Sequence, residues 1–159
     1  MSNDSKTNEQ VIVIRDMVPD DIEKVVTLEK QIFSDFWSQS AFVELLGEEN
    51  CGAQVATHGS VIIGYSCFMI DDFRMHLANI AVVREHRRKS VAQRLLESIL
   101  QRAKEDNCEF VSLEVRPSNM EARAFYDKHG FSLMRRQQNY YQSPVEDALV
   151  LVRFLNIKE

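Results

Sequence analysis

The chain contains little glycine. Only five glycines occur among 159 residues, about 3% where ~7% is usual. The patterns GxGxxG and GxxxxGK[ST] are both absent, which excludes a dinucleotide-binding fingerprint and a Walker loop. No glycine lies between residues 65 and 129. A phosphate site in that span must therefore use backbone N–H groups at a helix start together with basic side chains.

Cysteine and long apolar runs are also scarce. The three cysteines, Cys51, Cys67 and Cys108, form no CxxC pair, which argues against a disulfide framework or a zinc knuckle. The four histidines lack the spacing of metal ligands, so we predict no metal site. The longest near-apolar run, Val61–Ile70, is far shorter than the ~20 residues that a membrane helix needs. With a net charge of −5, these absences predict a cytoplasmic protein that binds no membrane and is not, as a whole, a polyanion binder.

Length and composition predict one folded domain. Hydrophobic residues make up 45% of the chain and charged residues 27%, which is typical of globular proteins. No linker-like segment and no repeat divides the sequence. Residues 1–10 are polar and lack the apolar centre of a secretory signal, so we expect a disordered tail there. Residues 11–159 are predicted to form a single domain.

Hydrophobic periodicity predicts a mixed α/β fold. Apolar residues at helical spacing alternate with short β-branched runs, in the order β-α-α-β-β-β-α-β-α-β-β. The predicted strands are Val11–Arg15, Gln54–Thr57, Val61–Ile70, Met75–Val83, Phe110–Val115, Phe131–Tyr140 and Asp147–Leu155. The predicted helices start at Pro19, at Ser38, at Lys89 and at Asn119, and Gly130 is placed for a left-handed cap after the last one. This order mixes hairpins with crossovers and favours a mixed sheet flanked by helices.

The segment Arg84–Arg94 is unusually basic for an acidic protein. It holds five basic residues and one acid, and it joins the end of a predicted strand to the start of the longest helix. Unpaired N–H groups at a helix N-terminus suit an anionic phosphate. An exposed basic turn without a ligand would have the same composition, so the segment alone leaves both interpretations open.

The same segment resembles the acetyl-CoA loop of the GCN5-related N-acetyltransferase (GNAT) superfamily, Gln/Arg-x-x-Gly-x-Gly/Ala. Arg87–Ala92 corresponds to this loop and Asn79–Val82 to the strand before it. The resemblance implies that backbone N–H groups of Arg88–Gln93 bind the pyrophosphate and that the strand pairs with the pantetheine arm. The implied acetyl-CoA contacts are Ile80, Ala81, Val82, Arg87, Arg88, Lys89, Ser90, Val91, Ala92, Gln93 and Asn119. Ser90 replaces the usual glycine, so its Cβ either crowds the cofactor or requires an unfavourable dihedral angle.

The second half of the chain extends this resemblance. The downstream superfamily motif is similar to Ser112–Asn119, Phe125-Tyr126 and Gly130-Phe131. Two further segments, Phe36–Ser38 and Asn139–Tyr141, resemble the bacterial ribosomal-protein alanine N-acetyltransferases. The resemblance implies the GNAT fold, a mixed and mostly antiparallel sheet of about seven strands with about four helices.

Glu114 and Tyr126 are the candidate catalytic residues. Strand alternation puts Glu114 on the face opposite Val111, Leu113 and Val115, either in solvent or in a cleft. The resemblance implies that Glu114 is the general base that acts on the attacking amine. Tyr126 is either an ordinary packed tyrosine or, as the resemblance implies, the general acid that protonates the departing CoA thiolate.

Three aromatic residues are candidates for substrate binding. Tyr140 and Tyr141 match residues that line the peptide groove in relatives, although strand tyrosines that pack on the sheet would look the same. Trp37 belongs either to a loop on the substrate side or to the core.

The resemblance implies transfer of acetyl from acetyl-CoA to a primary amine, and we expect the N-terminal α-amine of a ribosomal protein to be the acceptor. An α-amine has a pKa of about 7.7–8 and is neutral at pH 7 far more often than lysine, at about 10.4. Asp16–Asn50 carries nine acids and two lysines, either to face a basic peptide or as a solvated helix surface. The alternatives are a small-amine acetyltransferase, a non-catalytic acetyl-CoA-binding module, or RNA binding through Arg84–Arg94.

Overall fold

A computed structural model describes residues 11–155 of the chain. The expected tail at residues 1–10 lies outside the described residues. The strands are β1 Ile12–Asp16, β2 Cys51–His58, β3 Val61–Asp71, β4 Arg74–Val82, β5 Phe110–Val115, β6 Ser132–Gln142 and β7 Val145–Phe154. The α-helices are α1 Ile22–Ile32, α2 Gln39–Gly47, α3 Val91–Glu105 and α4 Met120–Lys128. The predicted order of strands and helices is confirmed.

Local capping signals determine where the helices begin and end. The Ala41 N–H donates to Ser38 Oγ at 3.2 Å at the start of α2, and the Ala122 N–H donates to Asn119 Oδ1 at 3.1 Å at the start of α4. Gly130 follows α4 with φ of +84°, as expected of a left-handed cap. The predicted start of α3 at Lys89 is wrong by two residues, because Ser90 has φ of +62° and cannot join a right-handed helix.

The strand boundaries differ from the prediction where pairing overrides propensity. β2 begins at Cys51, three residues before the predicted start, because its first residues pair with the end of β3. Gly52 is tolerated there because the Phe68 ring occupies the space of a side chain. β6 extends past the predicted end at Tyr140 to Gln142, where its last residues pair with the start of β7.

All seven strands form one sheet in the order β1-β2-β3-β4-β5-β7-β6. The first two helices pack on one face, where residues such as Val25 and Phe42 contact Tyr65 in the core. α3 and α4 cover the other face, where Leu96 and Ile99 pack with Leu113. Burial of these apolar side chains is the main favourable contribution to folding.

Among the described residues, β4 and β5 form the one parallel pair of the sheet, and this pair positions the candidate site. Their pairing covers three residue pairs and ends at His76↔Ser112. On the other side of β4, the register with β3 shifts by one residue at Ala78, between Leu77 and Asn79. Such a bulge bends a strand and increases its twist. The two parallel strands therefore separate beyond His76 and leave an opening in the sheet.

Candidate active site

The second half of β4 offers an unpaired strand edge. Tyr65↔Ala81 and Gly64↔Val82 pair β4 with β3 on one side, whereas within residues 11–155 no strand pairs with β4 on the β5 side after His76. The backbone of Ile80–Val82 therefore has free donors and acceptors along that edge, apart from the Val82 carbonyl, which accepts a hydrogen bond from Arg87. An extended ligand with amide groups can pair there as an additional strand would.

The turn between β4 and α3 offers a second set of free donors. None of the six consecutive N–H groups from Arg88 to Gln93 donates a hydrogen bond to an acceptor in the described part of the chain. Arg88 and Ser90 both have positive φ, +63° and +62°, and the last three N–H groups belong to the first turn of α3. Of the two alternatives for Ser90, the unfavourable dihedral is the one observed. The turn fits a diphosphate group, which binds best where N–H groups and a helix N-terminus converge.

The basic side chains of this turn divide into two groups. Arg87 Nε donates to the Val82 carbonyl at 3.2 Å, and Arg94 Nη1 donates to the Ile12 carbonyl at 2.6 Å. These two arginines therefore hold the turn against the sheet. Arg88 and Lys89 are exposed and can add charge beside an anion. Together with the free edge of β4, the turn fits both the amide arm and the diphosphate of CoA.

Glu114 lies where β4 and β5 separate, and it pairs with a histidine. Its Oε2 is 2.5 Å from His76 Nε2, and the two side chains are 18% and 27% exposed. His76 is the last β4 residue paired with β5, opposite Ser112. A histidine beside a half-buried carboxylate provides a route for protons between the site and solvent. Of the two alternatives for Glu114, the cleft is the one observed.

His76 was missed in the sequence because a lone histidine in a strand carries no pattern. Its signal was positional: a strand that contains a histidine precedes a helix and then the strand with Glu114. Two strands that are joined by one helix usually lie next to each other in a sheet, so a residue of β4 is placed to contact Glu114 of β5.

Tyr126 projects from α4 into the apolar layer on the face of the sheet that α3 and α4 cover. It is 6% exposed, and its ring lies 5.2 Å from the Phe125 ring and 5.5 Å from the Phe131 ring between centroids. Burial, with a smaller contribution from Tyr141, raises the pKa of Tyr126 well above its ordinary value. Its phenol is therefore protonated at neutral pH, and among the described residues its hydroxyl has no hydrogen-bond partner.

Glu29 is a second buried carboxylate, which the sequence analysis did not assign to the site. It is 1% exposed and accepts hydrogen bonds from the Tyr65 hydroxyl, from Asn79 Nδ2 at 2.9 Å and from the Trp37 N–H at 3.2 Å. Its signal was a polar residue within the apolar stripe of α1. Glu29 connects the loop at residues 33–38 with β4 just before the free edge.

The three aromatic candidates lie in the loop at residues 33–38 and in β6. Trp37 belongs to the loop at residues 33–38 and is half-buried, with its ring 5.4 Å from that of Phe42. Trp37 therefore lies in a loop and also contacts the core, and its place on the substrate side stays a prediction. The rings of Tyr140 and Tyr141 are 4.9 Å apart. Burial raises the pKa of both tyrosines, and the Glu114 carboxylate raises both further.

A bulge in β6 presents these tyrosines. Between Gln137↔Ala148 and Tyr141↔Glu146 the ladder of β6 and β7 contains two extra residues on β6. Asp147 stabilises the bulge, because its carboxylate accepts the Asn139 N–H at 3.0 Å and Arg136 Nε at 2.7 Å. These hydrogen bonds lower the pKa of Asp147.

A cleft of about 450 Å³ runs along the sheet from Glu114. Residues from five strands line it, among them His76, Ser112, Arg135 and Val150. Asn119 uses its side-chain oxygen to cap α4, so its implied cofactor contact stays a prediction.

Two further observations concern metals and membranes. Within residues 11–155, the side chains of His, Cys, Asp and Glu form no group of three that could hold a metal ion. In the same part of the chain, none of the helices has both the length and the apolar character required to cross a membrane.

Comparison with known proteins identifies relatives along most of the chain. The model of the Acetyltransferase (GNAT) family matches residues 22–131. The chain is 32% identical to a putative ribosomal protein bS18-alanine N-acetyltransferase of Bacillus subtilis, over 87% of this chain and 92% of that one. It is 31% identical to an N-alpha-acetyltransferase of Saccharolobus solfataricus, over 88% and 91%.

A solved structure shares the fold. The crystal structure of the ribosomal-protein-S18-alanine N-acetyltransferase from Escherichia coli superposes with a TM-score of 0.86 at 22% identity, covering 94% of this chain and 97% of that one. The predicted mixed sheet of seven strands with four helices is confirmed. The family model spans more than half of the chain, and the chain therefore belongs to the GNAT acetyltransferase family, as an acetyl-CoA-dependent N-acetyltransferase.

Proposed function

We propose that this enzyme acetylates the N-terminal α-amine of a ribosomal protein, with alanine as the accepted first residue. The observation that carries the proposal is the half-buried Glu114–His76 pair at the opening between β4 and β5, beside the free edge of β4. The Bacillus subtilis relative, named for alanine N-acetylation of bS18, supports the choice of acceptor. We also propose that residues 11–159 form a single acetyltransferase domain, which the continuous seven-stranded sheet supports.

The cofactor side uses backbone groups. Ile80, Ala81 and Val82 pair with the pantetheine amides, and the N–H groups of Arg88–Gln93 bind the diphosphate. Acetyl-CoA supplies a thioester whose carbonyl carbon forms the new bond to nitrogen while its bond to sulfur breaks. These backbone contacts orient the thioester at the opening between β4 and β5.

Three side chains move the protons. Glu114 accepts the proton that the attacking amine loses, and His76 passes it toward solvent. Tyr126 donates a proton to the departing thiolate. Its raised pKa keeps the phenol protonated at neutral pH, as a general acid must be before the thiolate leaves.

The acceptor side uses Trp37, Tyr140 and Tyr141, which border the peptide. The acidic segment Asp16–Asn50 contributes less negative charge to this side than its composition indicates. Asp21 and Asp35 form ion pairs with arginines of this chain, and Glu29 is buried. Six acids of the segment remain exposed, namely Asp16, Asp20, Glu23, Glu44, Glu48 and Glu49. Exposed acids can attract a basic peptide at low ionic strength.

The test is intact-mass analysis after incubation with acetyl-CoA. A basic peptide that begins with alanine should gain one acetyl group. The matched control is the same peptide with a blocked N-terminus, which keeps its lysines and should gain none. Acetylation of the blocked peptide or of spermidine, with no transfer to the free α-amine, would contradict the proposal. Acetyl-CoA binding without transfer to any amine would contradict a catalytic role altogether.

The acidic surface is tested separately by steady-state kinetics at low salt. The variant removes three exposed charges, Glu44→Gln, Glu48→Gln and Glu49→Gln. The matched control removes three exposed charges from other parts of the sequence, Glu97→Gln, Glu105→Gln and Glu109→Gln. The first variant should raise the KM for the basic peptide, and the second should not. An unchanged KM in both variants would show that the acidic surface is only solvated.

A further inference from the structure

Two segments on the acceptor side of the site are joined by one arginine. The loop at residues 33–38 follows α1 and carries Trp37. The turn at residues 143–144 connects β6 to β7, next to Tyr141. Arg116, two residues after Glu114, extends between them.

The contacts of Arg116 use most of its guanidinium. Its Nη2 lies 3.0 Å from Asp35 Oδ2, and its Nη1 donates to the Pro144 carbonyl at 3.0 Å. Nη2 also donates to the Ser143 carbonyl at 3.3 Å. The guanidinium carbon lies 4.1 Å from the centroid of the Tyr141 ring, well inside the range of a cation–π contact.

The loop and the turn also contact each other directly. Ser34 Oγ donates to the Ser143 carbonyl at 2.7 Å, and the Ser143 N–H donates to Asp35 Oδ2 at 3.4 Å. Ser143 thus receives hydrogen bonds from both Arg116 and the loop. These hydrogen bonds join the loop to the turn through five residues: Ser34, Asp35, Arg116, Ser143 and Pro144.

We infer that Arg116 is a positioning residue for the acceptor: it holds the loop with Trp37 against the β6–β7 turn and so fixes the groove that receives the peptide. The inference rests on the proposed function, because it assigns the groove to a peptide acceptor. The Arg116 side chain is 20% exposed and the Asp35 side chain is 39% exposed. The ion pair by itself therefore contributes little to stability, and its effect is to restrict where the loop lies.

Lysine cannot replace this arginine fully. The planar guanidinium donates in several directions within one plane and stacks on an aromatic ring, whereas an ammonium group is a single point of charge. Arg116→Lys should therefore keep the attraction to Asp35 and lose the simultaneous contacts to the turn and to Tyr141. An intermediate phenotype is expected for Arg116→Lys, between the wild type and Arg116→Gln.

The first experiment follows the loop without using catalysis. Trp37 is the only tryptophan of the chain, so intrinsic fluorescence reports on the loop. Arg116→Gln and Asp35→Asn should each raise acrylamide quenching of Trp37 by about twofold, as expected when a loop is released from its contacts. The matched control is Arg102→Gln, which removes an exposed ion pair to Asp106 at the C-terminal end of α3 and should leave quenching unchanged.

The second experiment measures peptide kinetics at saturating acetyl-CoA. In Arg116→Gln and Asp35→Asn the KM for the peptide should rise about tenfold while kcat stays within about threefold, the pattern of lost acceptor binding. The Kd for acetyl-CoA should stay within about twofold in both variants. Asp35→Asn keeps the test decisive if Arg116→Gln fails to fold, since Asp35 is exposed.

Three results would overturn the inference. The first is unchanged Trp37 quenching and peptide KM in both variants, and the second is a loss in kcat with KM unchanged. The third is a wild-type protein that acetylates no peptide, which also contradicts the proposed function. In that case the quenching experiment still shows separately whether Arg116 holds the loop.

Discussion

Replacing Ser90 by glycine tests how this protein builds a phosphate site without the usual glycine. Ser90 has φ of +62° and ψ of +16°, where a residue with a Cβ is disfavoured by about 1 kcal/mol or more. Glycine removes that strain but adds unfolded-state entropy worth about 0.5–1 kcal/mol. The free energy of unfolding of Ser90→Gly should therefore equal or slightly exceed that of the wild type, by up to about 1 kcal/mol. Chemical denaturation measures this difference.

The matched control is Ser98→Gly, in the middle of α3. Glycine in a helix interior is unfavourable, and this variant should lose about 0.5 kcal/mol. Its melting temperature should therefore lie below that of Ser90→Gly by about 2–4 °C per kcal/mol of difference, the range for a chain of this length. Equal losses at both positions would refute the strain at Ser90.

Acetyl-CoA affinity is the second measurement on the same variant. The Ser90 side chain makes no hydrogen bond to any described residue, and it lies among the N–H groups assigned to the diphosphate. Removing its Cβ should tighten acetyl-CoA binding by about threefold in a calorimetric titration, since glycine lets a ligand approach the backbone more closely. Equal or weaker binding would show that the serine is accommodated, with its hydroxyl near a phosphate oxygen.

Four further predictions concern three carboxylates and the candidate acid. Glu114→Gln should lower kcat by about 100-fold or more with little change in acetyl-CoA affinity. Tyr126→Phe should also lower kcat. A normal turnover rate in either variant would show that the replaced residue does not have the proposed role. Glu29→Gln should lower the free energy of unfolding by about 1–3 kcal/mol, because an amide nitrogen replaces one acceptor oxygen at a buried site with three donors; the exposed Glu23→Gln is its control in the same denaturation assay. Arg15 hydrogen-bonds to Asp21 and lowers its pKa, so the Asp21 carboxylate stabilises the protein above about pH 4 and loses that effect as the pH falls through its folded pKa. Asp21→Asn should therefore reduce the free energy of unfolding at pH 7 and much less at about pH 2, and a loss that is the same at both pH values would contradict this linkage.

Much of the fold was predictable because its signals are local. The alternation of Phe110–Val115 identified β5 with its observed bounds, and Ser38 and Asn119 marked helix starts through side chains that cap the backbone. The family motif predicted that the turn before α3 is the phosphate site. Its Ser90 was expected either to crowd the cofactor or to strain the backbone, and the observed dihedral is the strained one.

Other parts of the site were not predictable because they depend on residues distant in the sequence. His76 and Glu114 are 38 residues apart, and their contact requires that β4 and β5 be neighbours. Arg116 bridges Asp35 and Pro144, which no local pattern brings together. Glu29 is a polar residue among the apolar residues on the buried face of α1, and two of its three hydrogen-bond donors, those of Tyr65 and Asn79, come from segments distant in the sequence.

The sequence by itself therefore determined the order of helices and strands and the family, and it predicted where a phosphate would bind, because capping, periodicity and the loop motif act over a few neighbouring residues. Only the tertiary structure decided how β4 separates from β5, which histidine meets Glu114, and how Arg116 joins the loop at residues 33–38 to the β6–β7 turn. The physical reason is that a strand edge becomes free, and a carboxylate gains its partner, only through the pairing of segments far apart along the chain.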